Sequence, residues 1–186
     1  MASSTQFDKR LIVDRILSGL TLARDAAMSA AKQAHETATH SETVAKSKYE
    51  TFGLEASYLA HGQAQRVAEC EAELLAYQSL NLLGCFNELT IGLSSLVTLE
   101  DESGTVRTYF IGPGAPGMKI DFKIDKHTDI DLKVGSGKKP EAEQGSIMVI
   151  TPSSPLGQSL MGKSLDDAVQ LNIGNRLKIY EITGLE

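Results

Sequence analysis

Few side chains in this 186-residue sequence are spaced to do chemistry, and the familiar catalytic arrangements are missing from it. Cys70 and Cys85 are not paired as CxxC and have no His at ligand spacing, so they predict neither a zinc site nor a disulfide framework. Ser153, Ser154 and the histidines lack the sequence context of a hydrolytic triad. Gly112 and Gly117 do not open a helix as GxGxxG, so no dinucleotide site is expected. What remains is one polar cluster, His35-Glu36-Thr37-Ala38-Thr39-His40-Ser41-Glu42-Thr43. Its imidazoles and carboxylates are of metal-ligating type. Turn histidines are ordinarily just polar, however, and carboxylates at a helix end are ordinarily solvated charges, favoured where the end is an N-terminus. Whether this cluster does anything depends on the elements that carry it.

Those elements fall into two parts with different patterning. No proline occurs before Pro113, and Ala, Glu, Gln and Leu crowd the first part, a helical composition. Val13, Ile16, Leu20, Ala23, Ala27, Ala30 and Ala34 recur in alternating steps of three and four, a heptad seam. A second seam reads Tyr49, Gly53, Ala56, Ala60, Gln63, Val67, Cys70, Leu74 and Tyr77, with Gln63 as a register device. The polar cluster lies between them, and Ser41 or Thr39 is placed to cap the second helix. The spacing therefore predicts an antiparallel coiled-coil hairpin over residues 1–82 with its tip near 36–45. Arms of roughly 30 to 35 residues at 1.5 Å rise would reach about 45–50 Å. The seams are bulky near the base and small near the turn, the pattern of a finger that narrows toward its end.

From residue 83 onward the period changes to two. Ser95 to Leu99 and Val106 to Ile111 flank Asp101-Glu102-Ser103-Gly104, a hairpin signal. Further alternating runs are Met118 to Ile124, Ile130 to Val134 and Ser146 to Thr151, with a polar loop, Gly135 to Gly145, before the last. A short helix is expected from Pro155 to Met161, stopped by Gly162. Ala168 to Leu171 and Arg176 to Ile182 form a closing hairpin. The class is α+β: a helical hairpin, then residues 83–186 as an antiparallel sheet domain with one short helix.

Charge and hydropathy bound the function. The formal charge of −6 argues against a broad nucleic-acid-binding face, which needs an excess of Lys and Arg. No apolar run approaches the ~20 residues that span a bilayer, and Met1 to Lys9 has no apolar h-region. These features predict a cytoplasmic protein with neither membrane attachment nor sequence-specific DNA binding.

The stretch from Ile150-Thr151-Pro152-Ser153-Ser154-Pro155-Leu156-Gly157 through Gly162-Lys163-Ser164-Leu165-Asp166-Asp167 resembles the C-terminal domain of the Gre transcript-cleavage factors. The resemblance runs on to Glu181-Ile182, about forty residues, and the region from Gly104 to Gly112 fits the same domain more loosely. It implies an FK506-binding-protein-like C-terminal domain that docks on RNA polymerase through Ser154, Pro155, Gly162, Lys163 and Asp166. It also implies a finger that enters the polymerase's secondary channel and comes close to the nascent RNA. There, tip carboxylates help hold a Mg²⁺ ion shared with the polymerase active site, and the polymerase itself cuts backtracked RNA. The factor is thus an accessory, not an enzyme, with no tightly bound cofactor of its own.

Matching the family's tip motif to His40-Ser41-Glu42 and Tyr49 places Glu42 at the family Asp and Ala45, beside Lys46, at the family Glu. Glu36, across the turn, is the geometric substitute, so Glu42 and Glu36 are the expected catalytic and metal-holding pair. Residues 118–144 are also longer than the compact family domain needs, a second mark of a divergent member. The alternatives are a Gre-like modulator or inhibitor that docks without stimulating cleavage, or a prolyl isomerase of the FK506-binding type.

Overall fold

The computed structural model describes residues 8–39, 47–82, 90–124, 130–134, 144–174 and 176–186 of the chain. The elements are α1 (Lys9–Thr39), α2 (Ser47–Gln78), β1 (Leu96–Asp101), β2 (Val106–Ile111), β3 (Lys119–Ile124), β4 (Ile130–Val134), β5 (Gln144–Ile150), α3 (Pro155–Leu160), β6 (Ala168–Ile173) and β7 (Arg176–Leu185). They form two compact units, Met1–Leu17 with Ala76–Glu186, and Ser18–Leu75. The start of α1 and the end of α2 therefore belong with the sheet.

Asp8 starts α1: its carboxylate accepts the Arg10 N–H at 2.9 Å and its carbonyl accepts the Ile12 N–H at 3.2 Å. Burial along both long helices follows the heptad pattern. Val13, Ile16, Leu20 and Ala27 are buried on α1, and Ala56, Cys70, Leu74 and Tyr77 on α2. The remaining described seam positions, Ala23, Ala30, Ala34, Ala60, Gln63 and Val67, are half-buried, while most positions between them are exposed. Tyr49 and Gly53 fall outside the residues whose burial is described. With 31 and 32 residues, the two helices are each about 46–48 Å long. Of the two residues expected to cap α2, Thr39 does not do so. Thr39 is the last residue of α1, where its hydroxyl donates to the His35 carbonyl at 2.9 Å. Ser41 lies outside the described residues.

The seven-stranded sheet has the order β4-β3-β5-β2-β1-β7-β6. β1 and β2 pair antiparallel across the expected turn, with Leu96 opposite Phe110 and Glu100 opposite Val106. β6 and β7 close the other end as an antiparallel hairpin, from Ala168 opposite Glu181 to Ile173 opposite Arg176. The α+β class stands, but the sheet is mixed. β5 runs parallel to β2, from Thr108 opposite Ile147 to Ile111 opposite Ile150. The reason is the segment between them: β3 and β4 form an antiparallel hairpin, and β3 pairs antiparallel with the outer side of β5. The long stretch 118–144 is thus an extension of the sheet over its described residues. Residues 135–143, most of the expected polar loop, lie outside the described set, and Gln144 and Gly145 begin β5.

Strand alternation sorts the core by face. Val97 and Leu99 of β1, Tyr109 and Ile111 of β2, Ile150 of β5, and Tyr180 and Ile182 of β7 pack into one cluster with Leu160 of α3 and Val169 and Leu171 of β6. The intervening residues Leu96, Phe110, Ile147 and Val149 are also buried. A strand side chain and its neighbour point to opposite faces, so this sheet is covered on both. Tyr77 belongs to the sheet unit, where its buried hydroxyl donates to the Gly114 carbonyl at 2.9 Å.

Candidate functional site

The segment that follows β5 is fixed by local chemistry before any tertiary contact. Ser154 has extended backbone (φ −68°, ψ 152°) and caps α3, its Oγ accepting the Gly157 N–H at 3.0 Å. The same hydroxyl donates to the Thr151 carbonyl at 2.7 Å. Pro155 occupies the first turn, where its missing N–H is no loss. Gly157 is required here: a Cβ on it would stand 2.0 Å from the Thr151 carbonyl oxygen. Ser154 is therefore committed to holding the helix start, and the exposed residue it presents is Pro155.

The helix exit is held from outside. Gly162 has φ +77°, a left-handed exit that glycine adopts without penalty. Its N–H donates to the Ile91 carbonyl at 2.9 Å, and the Ile91 N–H donates to the Lys163 carbonyl at 2.7 Å. Ile91 is buried, so this two-bond clasp ties the exit to the loop before β1. In that loop Ser94 has φ +68°, and its buried hydroxyl has no hydrogen-bond partner among the described residues. Downstream, the Asp167 carboxylate accepts the Ser164 N–H at 2.8 Å. The Asp166 N–H donates to Ile182 O, and the Ile182 N–H to Asp167 O, both at 2.9 Å. Asp166 itself has φ +67°, a conformation Asp tolerates better than most residues.

The structure thus brings Ser154, Pro155, Gly162, Lys163 and Asp166 into one hydrogen-bonded segment. Pro155, Gly162, Lys163 and Asp166 are exposed. So are three large apolar residues beside them in sequence or through the clasp: Leu93 (39%), Met161 (40%) and Leu165 (49%). Sequence reasoning missed these three, and also Ile91 and Asp167. Asp167 had a local signal, since it stands three residues after the N–H it caps. The others had none, because exposure and the Ile91 clasp are set by distant residues. Nothing in the segment pairs a nucleophile with a base. A stiff backbone displaying apolar side chains beside a Lys and an Asp is suited to binding a protein surface.

Of the two tip carboxylates, Glu42 lies outside the described residues. Glu36 is exposed and lies in the last turns of α1, so its helix end is a C-terminus, where the dipole disfavours an anion. Lys32 stands one turn before it, with Nζ 3.9 Å from Oε1. Such an exposed pair contributes little. Among the described residues, no three His, Cys, Asp or Glu side chains are grouped to hold a metal ion. No helix among the described residues is long and apolar enough to cross a membrane.

With this geometry in view, the chain was compared with known proteins. No protein-family model matches it. A curated relative, transcription elongation factor GreA of Syntrophotalea carbinolica, is 31% identical over 64 residues. Over those residues the chain is similar to a Gre-type factor. The matched region covers 34% of this chain and 39% of the relative. Among solved structures, the transcription factor Gfh1 aligns over 93% of this chain and 92% of that one, at 20% identity and a TM-score of 0.34. GreA factor homolog 1 of Thermus thermophilus aligns over 94% of each chain, at 19% identity and a TM-score of 0.33. The architecture of this chain rests on its own strand registers.

Proposed function

We propose that this chain is an RNA polymerase-binding accessory factor that acts during transcription elongation and leaves the chemistry to the polymerase. The observation that carries the reading is the sequence match to a transcription elongation factor, GreA. The stiff, exposed segment around Pro155, Lys163 and Asp166 supports it as the docking surface, with Met161, Leu165 and Leu93 supplying apolar contact area. The helical hairpin is the part that reaches the polymerase's secondary channel, and through it the nascent RNA. In this reading Glu42 and Glu36 offer oxygen ligands to Mg²⁺ in the polymerase active site, a hard cation that prefers such donors.

A specific observation favours a second reading. Ala45 stands where the tip motif of the resembled family has its second carboxylate, and Lys46 follows. A finger with a single acid and a cation beside it would occupy the channel without adding a metal ligand, and so would slow the polymerase. One experiment separates the two: a backtracked RNA polymerase complex is incubated with the wild-type chain, Glu42→Ala or Glu36→Ala, and RNA length and protein binding are both followed. Shortened RNA that depends on either carboxylate supports cleavage stimulation. Binding and slowing without shortening supports the inhibitor. Absence of binding to the polymerase overturns both.

A further inference from the structure

The buried seam of α2 has a counterpart on the helix's other side. Leu54, Tyr58, His61, Gln65, Ala68, Ala72 and Leu75 recur in alternating steps of four and three, and all of them are exposed. Each lies two residues before a position of the seam that carries Ala56, Cys70, Leu74 and Tyr77, a rotation of about 200°. This second stripe therefore faces away from the buried one. Its large apolar members are far from covered: Leu54 is 55% exposed, Tyr58 69% and Leu75 66%. Exposed apolar residues scattered singly need no explanation. A heptad stripe with such residues at both ends is the pattern of a seam that packs against another helix.

The order of side chains along the stripe selects its partner. Laid antiparallel against a second α2, about the midpoint between Gln65 and Ala68, the stripe matches itself. Tyr58 meets Leu75 of the other copy, His61 meets Ala72, and Gln65 meets Ala68. An apolar pair then closes each end, and each polar side chain between them rests on an alanine, so the two helices keep one spacing. The flanking positions agree. Glu69 falls opposite Gly62, Glu71 opposite Ala64 and Glu55 opposite Ala76, so in these pairs no two acids meet. Sliding the copies to set Leu54 on Ala72 and Tyr58 on Ala68 would bring Glu55 against Glu69. A parallel copy in register would stack His61 on His61 and Gln65 on Gln65, then alanine on alanine twice. Such a seam is too wide at one level and leaves a void at the next.

We infer that the outer face of α2 is a contact between two copies of this chain, joined antiparallel about the midpoint between Gln65 and Ala68. The contact is two-fold, with the same patch serving both copies. It does not rest on the polymerase reading, and its test uses no polymerase.

The test uses the full chain. Wild type, followed by sedimentation over a concentration series, is expected to pass reversibly from monomer to dimer. Tyr58→Lys puts a charge into both apolar ends of the contact and is expected to shift the midpoint to roughly 10-fold higher concentration or more. Leu22→Lys adds the same charge at an exposed apolar site of α1 and is expected to leave the midpoint within about twofold. Cross-linking checks the register, with Cys85 replaced by alanine and the fully buried Cys70 kept. His61→Cys alone places its thiol about 16 Å from its mate along the helix, roughly eleven residues at ~1.5 Å each, beyond disulfide reach. Ala72→Cys alone is separated equally. Under mild oxidation each is expected to stay monomeric, and a mixture of the two to give a cross-linked dimer. A wild type that is monomeric throughout the series overturns the proposal whether or not any variant folds, and assigns the stripe to a partner other than this chain. So does a dimer that Tyr58→Lys leaves intact or that Leu22→Lys weakens as much, and so does a mixture that cross-links no better than either variant alone.

Discussion

Asp101 illustrates how much a single exposed carboxylate can organise. It accepts the Ser103 hydroxyl, the Ser103 N–H at 2.9 Å and the Thr105 N–H at 3.0 Å, and so closes the turn between β1 and β2. The Ser103 hydroxyl first, and then the Thr105 N–H, hold its pKa below the ordinary value of 3.8. A carboxyl whose folded pKa is depressed binds protons more readily in the unfolded chain. Its contribution is therefore complete above the unfolded value and is lost as pH falls through the folded one. Thermal unfolding across an acid pH series should show wild type more stable than Asp101→Ala near neutrality, with the difference shrinking below about pH 3.8. Gly157 makes the opposite point, that a missing side chain can be the requirement. Gly157→Ala would drive a Cβ against the Thr151 carbonyl and should cost about 1–3 kcal/mol in chemical denaturation, as forced overpacking does.

At the scale of elements, the heptad seams give a sharper test than helix propensity. Ile16 is fully buried and Leu22, six residues later on the same helix, is 67% exposed. Ile16→Ala should cost about 2–5 kcal/mol of stability, while Leu22→Ala should stay within about 0.5 kcal/mol. Equal effects in urea unfolding would show that α1 does not use this seam. These positions were legible in the sequence because a helix repeats its burial every three to four residues, whatever it packs against. α3 was legible for a related reason. Ser154, Pro155 and Gly162 are start and stop signals that act through their own backbone neighbourhood. Thr39 was misjudged as a cap because Thr serves equally well at an N-cap and as a back-bonding residue in a helix's last turn, and local sequence does not choose between them.

For the whole molecule, the proposed function assigns docking and catalysis support to different places, and substitutions should separate them. Lys163→Glu reverses an exposed charge without touching the backbone clasp to Ile91. It should weaken polymerase binding roughly 3- to 10-fold, mostly through slower association and with greater effect at low salt. Glu42→Ala should leave binding within about twofold of wild type, because a tip side chain that ligands a metal need not anchor the factor. Titration of labelled polymerase measures the first effect and, alongside the RNA assay, the second. The reverse pattern, with Glu42→Ala abolishing binding and Lys163→Glu leaving it intact, would contradict this division.

The sequence by itself determined the α+β class, the helix seams over the residues whose burial is described, the position of each strand and the capped helix α3. Each of these is written in a period, a cap or a turn that a few neighbouring residues express. Only the tertiary structure decided that β5 runs parallel to β2, that β3 and β4 extend the sheet beyond β5, and that Ile91 clasps the exit of α3. It also decided which apolar residues near Lys163 stay exposed. Strands offer the same backbone groups to every potential neighbour, so partner and direction follow from which combination buries both faces of the finished sheet. That balance is struck among residues far apart in the chain, where no local pattern records it.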